Sequence, residues 1–275
     1  QAELQLRHLL RRRPHEAGAY HLLGDLLWKQ HQRAQAILPY RLATLLDGEQ
    51  ENYASTYFYA LQQLGRQAEG MAYLSRRAEV LGRHPRGAMA RATHVEGLAS
   101  AGQPSAANEV LVAALEDFPN HVGLLNFAIQ HRAQLGQFTA AEILLERLAQ
   151  QDHLVANAVA LCAYQKSVCD WPAMLDAAND WLALAPYSLN ALEAVLDGTA
   201  AVHGRDAAVA RARQAVAARP GHDDIEKLLL NTLQAASLEA EAEALLAARL
   251  QRNGDDGWAW REQAERSFKG LIAAG

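Results

Sequence analysis

The sequence has little cysteine, few aromatic residues and no long apolar run. Cys162 and Cys169 are its only cysteines, too few for a disulfide scaffold or a zinc cluster. No apolar run approaches the roughly 18 residues of a membrane-spanning helix, which excludes a membrane span. Aromatic residues make up 7% of the 275 residues.

An excess of positive charge is also missing. Lys and Arg number 26 against 31 Asp and Glu, for a net charge of −5. Because proteins that grip phosphate backbones present clustered cations, a nucleic-acid partner is not expected. The charge is uneven: residues 1–91 carry 13 basic and 8 acidic residues (+5), and residues 92–275 carry 13 and 23 (−10). A charged partner and a solvated surface explain this asymmetry equally well.

Signature motifs of catalysis are absent as well. The sequence contains no G-x-S-x-G, P-loop, H-E-x-x-H or G-x-G-x-x-G pattern, each of which places particular groups for nucleophilic, phosphate, zinc or dinucleotide chemistry. The 11 histidines are scattered. We therefore predict no enzyme activity, no cofactor and no metal site for this chain.

The start of the chain is polar and lacks Met: it reads Gln1-Ala2-Glu3-Leu4. This stretch does not have the pattern of a signal peptide, and we expect the chain to be a piece of a longer protein. The compartment stays open between cytoplasm and periplasm. Arg outnumbers Lys 22 to 4, which favours a GC-rich, bacterial genome.

What the sequence does contain is an internal repeat, and its prolines show it first. Pro85 and Pro119 are separated by the same interval as Pro186 and Pro220. This interval, a period of about 34 residues, is typical of repeat proteins built from helix pairs. With only 8 prolines in the chain, two such pairs are not expected by accident.

A second series gives the same period from glycine. Gly102 and Gly136 are one period apart, Gly204 follows two periods later, and Gly65 precedes Gly102 by slightly more than one period. His31 lies one period before Gly65, and we assign Asp170 to the vacant position one period after Gly136. A third series of small or apolar residues opens the stretch beyond each turn: Ala36, Gly70, Ala107, Ala141, Leu175 and Ala242.

Each period predicts two helices joined by a tight turn. Ala, Leu, Gln, Glu and Arg dominate the composition and are strong helix formers, and apolar residues recur at helical spacing on both sides of each glycine. Glycine ends the first helix because it adopts a left-handed backbone at little cost. Proline follows the second because it cannot continue a helix. Such a hairpin buries its apolar face only by stacking on its neighbours, which predicts an all-α solenoid.

These features resemble the tetratricopeptide repeat family. The best match reads Tyr20-His21-Leu22-Leu23-Gly24, followed by Leu27, Ala36, Tyr40 and Ala43. The resemblance implies a right-handed superhelical α-solenoid of antiparallel helix hairpins, with first helices lining a concave face. It divides one solenoid, residues 1–275, into a truncated unit at 1–16, a terminal or capping helix at 255–275 and, between them, units at about 17–50, 51–86, 87–120, 121–154, 155–187, 188–221 and 222–254.

The match is imperfect in the middle of the first helices. The small residue expected there is present as Gly24 but is replaced by Phe58, Val95 and Ile129 in the next three units. We expect the packing between the two helices to be adjusted at those positions. Pro39 lies inside a second helix, where we expect it to kink the helix or delay its start.

On the resemblance, polar and aromatic residues on the first helices are the candidate protein or peptide contacts. Trp28 and Tyr59 stand out because aromatic side chains anchor interfaces, although packing between helices explains many such residues too. The full candidate set is His21, Asp25, Trp28, Lys29, Tyr59, Gln62, Gln63, Glu96, Asn126 and Gln130, with Ser55 beside them.

A weaker candidate site lies near the end of the chain. Lys227 and Asn231 are four residues apart and share one helix face. Members of the family that grip a carboxylate use Lys and Asn at this spacing, and Arg261 is the only later residue that fits. Ordinary surface residues are the competing interpretation.

The sequence favours a non-catalytic scaffold that binds a protein or peptide segment on its concave face. Two alternatives remain: a recruitment or regulatory arm of a larger enzyme, such as a glycosyl- or sulfotransferase, and a periplasmic scaffold of an envelope export or pilus assembly. Self-association through the open ends of the array is also possible, with the helix around Trp258 and Trp260 as cap or docking surface.

Overall fold

A computed structural model describes the backbone of residues 2–274 and the side chains of residues 2–266. In that part of the chain every regular element is an α-helix, sixteen in all. The helices form two compact units, Gln1–Gln151 and Asp152–Gly275. The all-α class and the helix-hairpin architecture predicted from the sequence are confirmed.

The first unit holds nine helices. They are α1 (Ala2–Arg12), α2 (Ala17–Lys29), α3 (Arg33–Leu46), α4 (Glu51–Gln63), α5 (Gln67–Leu81), α6 (Gly87–Ser100), α7 (Pro104–Asp117), α8 (Val122–Gln134) and α9 (Phe138–Ala149). From α2 onward they form hairpins, each of a first helix and a second helix that pack on one another. Among the first helices, α6 also packs against α4 and α8.

The second unit holds seven helices. They are α10 (Leu154–Ser167), α11 (Trp171–Leu184), α12 (Leu189–His203), α13 (Arg205–Ala218), α14 (Asp223–Ala235), α15 (Glu239–Arg252) and α16 (Gly257–Ala274). The segment expected to cap the array at 255–275 includes α16, and its last side chains, from residue 267 on, lie outside the described residues. The division of the whole chain into repeat units stays a prediction.

The turns inside the hairpins have the left-handed backbone expected from the glycines. Gly65, Gly102 and Gly136 have φ of 73°, 73° and 71°. The turn assignment of Asp170 is wrong: Cys169 adopts this conformation at φ 60°, and the Asp170 side chain caps α11 by accepting a hydrogen bond from the backbone N–H of Ala173 at 3.2 Å. Aspartate is a good N-cap because its carboxylate satisfies a free N–H of the first turn.

Pro39 does not delay its helix. It lies within α3, which begins six residues earlier at Arg33, and its ring is buried. A proline inside a helix deprives the carbonyl four residues earlier of its N–H partner. Here that carbonyl belongs to Gln35, an exposed residue in the first turn, where water can replace the missing donor.

Buried apolar residues from both helices of each hairpin form the cores. In the first unit one cluster joins Leu23, Leu27, Tyr40 and Leu61, and a second joins Phe58 to Leu74. The second unit has a cluster around Met174 and another around Leu230, Ile225 and Leu246. Cys162 is a buried core residue in the first of these.

Candidate functional site

The ten candidate contacts on the first helices all fall in the unit of residues 1–151, on α2, α4, α6 and α8. Because α6 packs against α4 and α8, residues of these three helices belong to one continuous layer. We call the part of that layer formed by Tyr59, Gln62, Glu96, Asn126 and Gln130 the first-helix face.

The α2 candidates His21 and Asp25 mostly serve packing inside the unit. The His21 ring lies 4.8 Å from the Tyr53 ring and 5.6 Å from the Tyr40 ring, centre to centre. The Asp25 carboxylate accepts a hydrogen bond from the Tyr40 hydroxyl at 3.0 Å. Burial, with this hydrogen bond adding to it, raises the pKa of Tyr40. Both candidates therefore hold the α2–α3 hairpin together.

Trp28 is also engaged within the protein, and Lys29 is not buried. The Trp28 ring centre is 6.4 Å from that of Tyr40, and the Arg33 guanidinium lies 5.4 Å from it, within cation–π range. The side chain is half-buried against the core of the first hairpin. Lys29 ends α2 in an exposed position.

The α4 and α6 candidates come together on the first-helix face. Tyr59 keeps 38% of its surface exposed, while its ring packs edge-on against Phe58 at 5.2 Å. Burial of the hydroxyl and the nearby negative charge of Glu96 raise the pKa of Tyr59. The Gln62 side-chain amide donates to the Ser100 carbonyl at 3.4 Å and to its hydroxyl at 3.3 Å, across α4 and α6. Gln63 is exposed.

Glu96 sits at the surface of α6 in a partly dehydrated place. Desolvation by its surroundings, followed by the negative charge of Glu51, raises the pKa of the Glu96 carboxyl. Glu51 itself is held by the Arg77 guanidinium at 2.6 Å and by the Thr93 hydroxyl at 2.6 Å. This bridge from α4 to α5 and α6 is not readable from the sequence, because its members are 26 and 42 residues apart.

On α8, Asn126 and Gln130 extend the same face. The Asn126 side-chain oxygen is buried and has no hydrogen-bond partner among the described residues, whereas Gln130 is exposed. Next to them, the rings of Phe127 and His131 stack at 5.6 Å. Ser55 on α4 instead donates its hydroxyl to the backbone carbonyl of Glu51 at 3.0 Å.

The structure gives the weaker carboxylate site different contacts. The Lys227 ammonium pairs with Asp224 at 2.8 Å and lies 5.6 Å from the Trp258 ring centre. Asn231 and Arg261 are exposed. Lys227 thus already has a carboxylate from its own helix, which an incoming carboxylate would have to displace.

Two features are absent from the described residues. Nowhere among them do three His, Cys, Asp or Glu side chains come close enough to hold a metal ion. Within the same residues, no helix is both long and apolar enough to cross a membrane.

Comparison with known proteins agrees with this architecture. The sequence profile of the tetratricopeptide repeat family matches residues 98–163, which span α6 to α10 in part. No curated protein matches the chain.

Several solved structures align with the chain at low sequence identity. Yeast Tom70 superposes with a TM-score of 0.61 at 11% identity, covering 99% of this chain and 58% of Tom70, so the chain spans under two thirds of that protein. A tetratricopeptide repeat protein from Parabacteroides merdae gives 0.49 at 11% identity, over 89% of this chain and 96% of that one. The type IV pilus biogenesis factor PilW gives 0.46 at 16% identity, over 78% and 98%.

Tetratricopeptide repeat proteins are generally non-catalytic scaffolds for interactions between proteins. Their stacked hairpins expose extended surfaces suited to that role. The resemblance noted in the sequence is thus confirmed: residues 98–163 match the tetratricopeptide repeat family in sequence, and the described helix hairpins have the fold of its members.

Proposed function

We propose that this protein binds a segment of a partner protein across the first-helix face. The observation that carries the proposal is the Tyr59 ring, which stays 38% exposed beside the carboxylate of Glu96. An extended peptide also offers N–H groups along its whole length, and the exposed Gln130 side-chain oxygen can accept one of them.

The contacts of Tyr59 and Glu96 define what the partner has to offer. Tyr59 offers an aromatic ring that is fixed by Phe58 but still 38% exposed, and such rings dominate many interfaces. Glu96 is an exposed residue whose pKa is raised by desolvation, and its carboxylate offers a negative charge to a cationic or N–H donor. The favoured partner therefore carries an apolar side chain beside a Lys, an Arg or a free backbone N–H.

Tyr59 is a better site for a test than Trp28. Removing the Trp28 ring would also remove its contacts to Tyr40 and Arg33, so that a loss of binding could reflect a loss of fold. Phe138 on α9 provides a matched control, because it is an aromatic residue with a similar exposed fraction of 40% on a second helix.

The experiment selects binding peptides from a displayed random library on the purified protein and measures their affinities. We expect Tyr59→Ala to weaken the selected peptides by about 30-fold or more, as at an interface hot spot, and Phe138→Ala to leave them within about twofold. Equal affinities for the wild type and Tyr59→Ala, or a larger loss with Phe138→Ala, would overturn the assignment of this face.

A further inference from the structure

A separate cavity lies in the unit of residues 152–275, between the second helices α11 and α13. Its volume is about 370 Å³, within the range of ligand pockets. The buried side chains of Leu192 and Ile225 line it, with Leu182 on the α11 side and Ala215 on the α13 side. The lining is therefore largely aliphatic and can hold an apolar side chain.

Two arginines of α13 and its C-terminal end bound this cavity. The Arg211 guanidinium donates to the side-chain oxygen of Asn179 on α11 at 3.0 Å. Arg219 donates to the backbone carbonyl of Pro186, and its guanidinium lies 4.9 Å from the centre of the exposed Tyr187 ring. Each arginine thus reaches across to α11 or the residues after it.

The charges of these two arginines are not neutralised within the described residues. Every partner named above is neutral, and neither guanidinium forms an ion pair with a carboxylate there. Arg213, between them on the same helix, does pair with Glu241. Arginine presents five N–H donors, so each of the two keeps donors for a carboxylate while held in place.

The spacing of the two arginines sets the shape of the ligand. Arg211 and Arg219 are eight positions apart, which is about 12 Å along a helix. In an extended chain, residues four apart are about 13 Å apart, and the first, third and fifth side chains point to the same side. An acidic residue at the first and fifth positions and an aliphatic residue at the third would match the two arginines and the cavity between them.

We propose that the Arg211–Arg219 cavity binds an extended acidic segment of a partner protein, with an aliphatic side chain in the cavity and flanking carboxylates on the two arginines. This surface shares no residue with the first-helix face. Its occupation therefore does not depend on the function proposed above.

The test uses the full chain and a blocked, fluorescently labelled peptide containing Glu-Ala-Leu-Ala-Glu. We expect saturable binding that weakens by about tenfold or more in Arg211→Gln/Arg219→Gln, since charge-assisted hydrogen bonds are lost. Ala218→Phe, which adds bulk at the exposed rim of the cavity, is expected to weaken binding by a similar factor. Circular dichroism and thermal unfolding verify that the variants are folded.

Matched controls separate the proposal from general charge attraction. Arg205→Gln removes one positive charge, against two in the double variant, from an exposed site at the start of α13 outside the cavity, and it should change the affinity less than about twofold. A peptide with Gly in place of Leu, and one with Gln in place of both Glu, should each bind at least about tenfold more weakly. Undiminished binding by the double arginine variant, by the Gly peptide or by the Gln peptide would overturn the proposal, and so would no binding of the parent peptide at millimolar concentration.

Discussion

At the residue scale, each of the first two hairpins packs a glycine of one helix against a large aromatic side chain of the other, and the helix that carries the glycine differs between them. A Cβ on Gly24 would lie 2.5 Å from two ring atoms of Tyr40, so α2 and α3 approach closely because Gly24 has no side chain. In the next hairpin Phe58 occupies the equivalent position of α4. The space for its ring comes from Gly70 on α5, where a Cβ would lie 2.8 Å from the Phe58 ring. The departure at Phe58 is compensated across the hairpin.

The close contact between Gly24 and the Tyr40 ring predicts that Gly24→Ala destabilises the protein. The Tyr40 ring cannot move away easily because it is 3% exposed and its hydroxyl is bonded to Asp25. Overpacking of this kind costs about 1–3 kcal/mol, more than the gain of up to ~1 kcal/mol from replacing a helical glycine. Urea unfolding measures the free energy change.

Gly18→Ala on the same helix is the matched control. Its Cβ would meet only the Tyr53 hydroxyl at 3.5 Å, an ordinary contact. Stability should stay the same or rise by up to ~1 kcal/mol. If both substitutions stabilise the protein, the assigned close contact between Gly24 and Tyr40 is contradicted.

Three turn residues adopt the left-handed backbone without being glycine. His31, Cys169 and Ser237 have φ of 61°, 60° and 61°. The clash of the Cβ costs roughly 1–2 kcal/mol at each. The flanking helices fix these turns, so the chain tolerates the strain without a glycine. The glycine series in the sequence therefore could not identify Cys169 or Ser237 as left-handed turn residues.

Cys169→Gly should therefore stabilise the protein, by about 0.5–1 kcal/mol after the added freedom of the unfolded chain is subtracted. Cys169→Ala retains a Cβ and should give no such gain. Thermal unfolding of the two variants under reducing conditions tests the difference. Equal stabilities of the Gly and Ala variants would contradict the assigned turn.

At the element scale, ion pairs with a constant spacing along the chain tie the two helices of a hairpin together. They join Glu51 to Arg77, Arg91 to Asp117, Asp223 to Arg249 and Glu226 to Arg252. In each hairpin the beginning of the first helix lies beside the end of the second. Residues 26 apart in the sequence therefore come into contact. The charges were visible in the sequence, but their pairing follows only from the hairpin geometry.

The largest of these networks centres on Arg249, whose side chain is 9% exposed and contacts the carboxylates of Asp223, Glu226 and Asp256. Arg249→Met leaves carboxylates without their cation, which predicts a loss of about 3–5 kcal/mol. Arg252→Met is the comparison, because Arg252 also pairs with Glu226 but is 53% exposed, where such a pair contributes about 1 kcal/mol or less. Similar losses for the two variants in urea unfolding would refute the central role of Arg249.

The same network predicts an acid dependence. Hydrogen bonds from the backbone N–H of Ala259, then from Arg249, lower the pKa of Asp256. Its contribution to stability is therefore complete above the ordinary carboxyl pKa of about 3.9 and is lost as the pH falls through the lowered value. The difference in melting temperature between wild type and Asp256→Asn should shrink from pH 7 to pH 3, and a constant difference would contradict this linkage.

At the scale of the whole molecule, the sequence predicted the class of structure better than the site. Proline and glycine positions predict hairpins because these residues act locally on the backbone. The uses of His21 and Asp25 inside the protein, and the contact of Lys227 with Trp258, were not predictable, since packing brings the partners Tyr40, Tyr53 and Trp258 to them. The cavity bounded by Arg211 and Arg219 also depends on several helices meeting, which no local pattern encodes.

The most direct test of the central claim is amide hydrogen exchange, measured with and without a bound peptide selected by the wild-type protein. We predict added protection in α4, α6 and α8, which carry Tyr59, Glu96 and Asn126, with α5, α7 and α9 unchanged. Protection confined to the second helices, or to residues 152–275 alone, would contradict binding at the first-helix face.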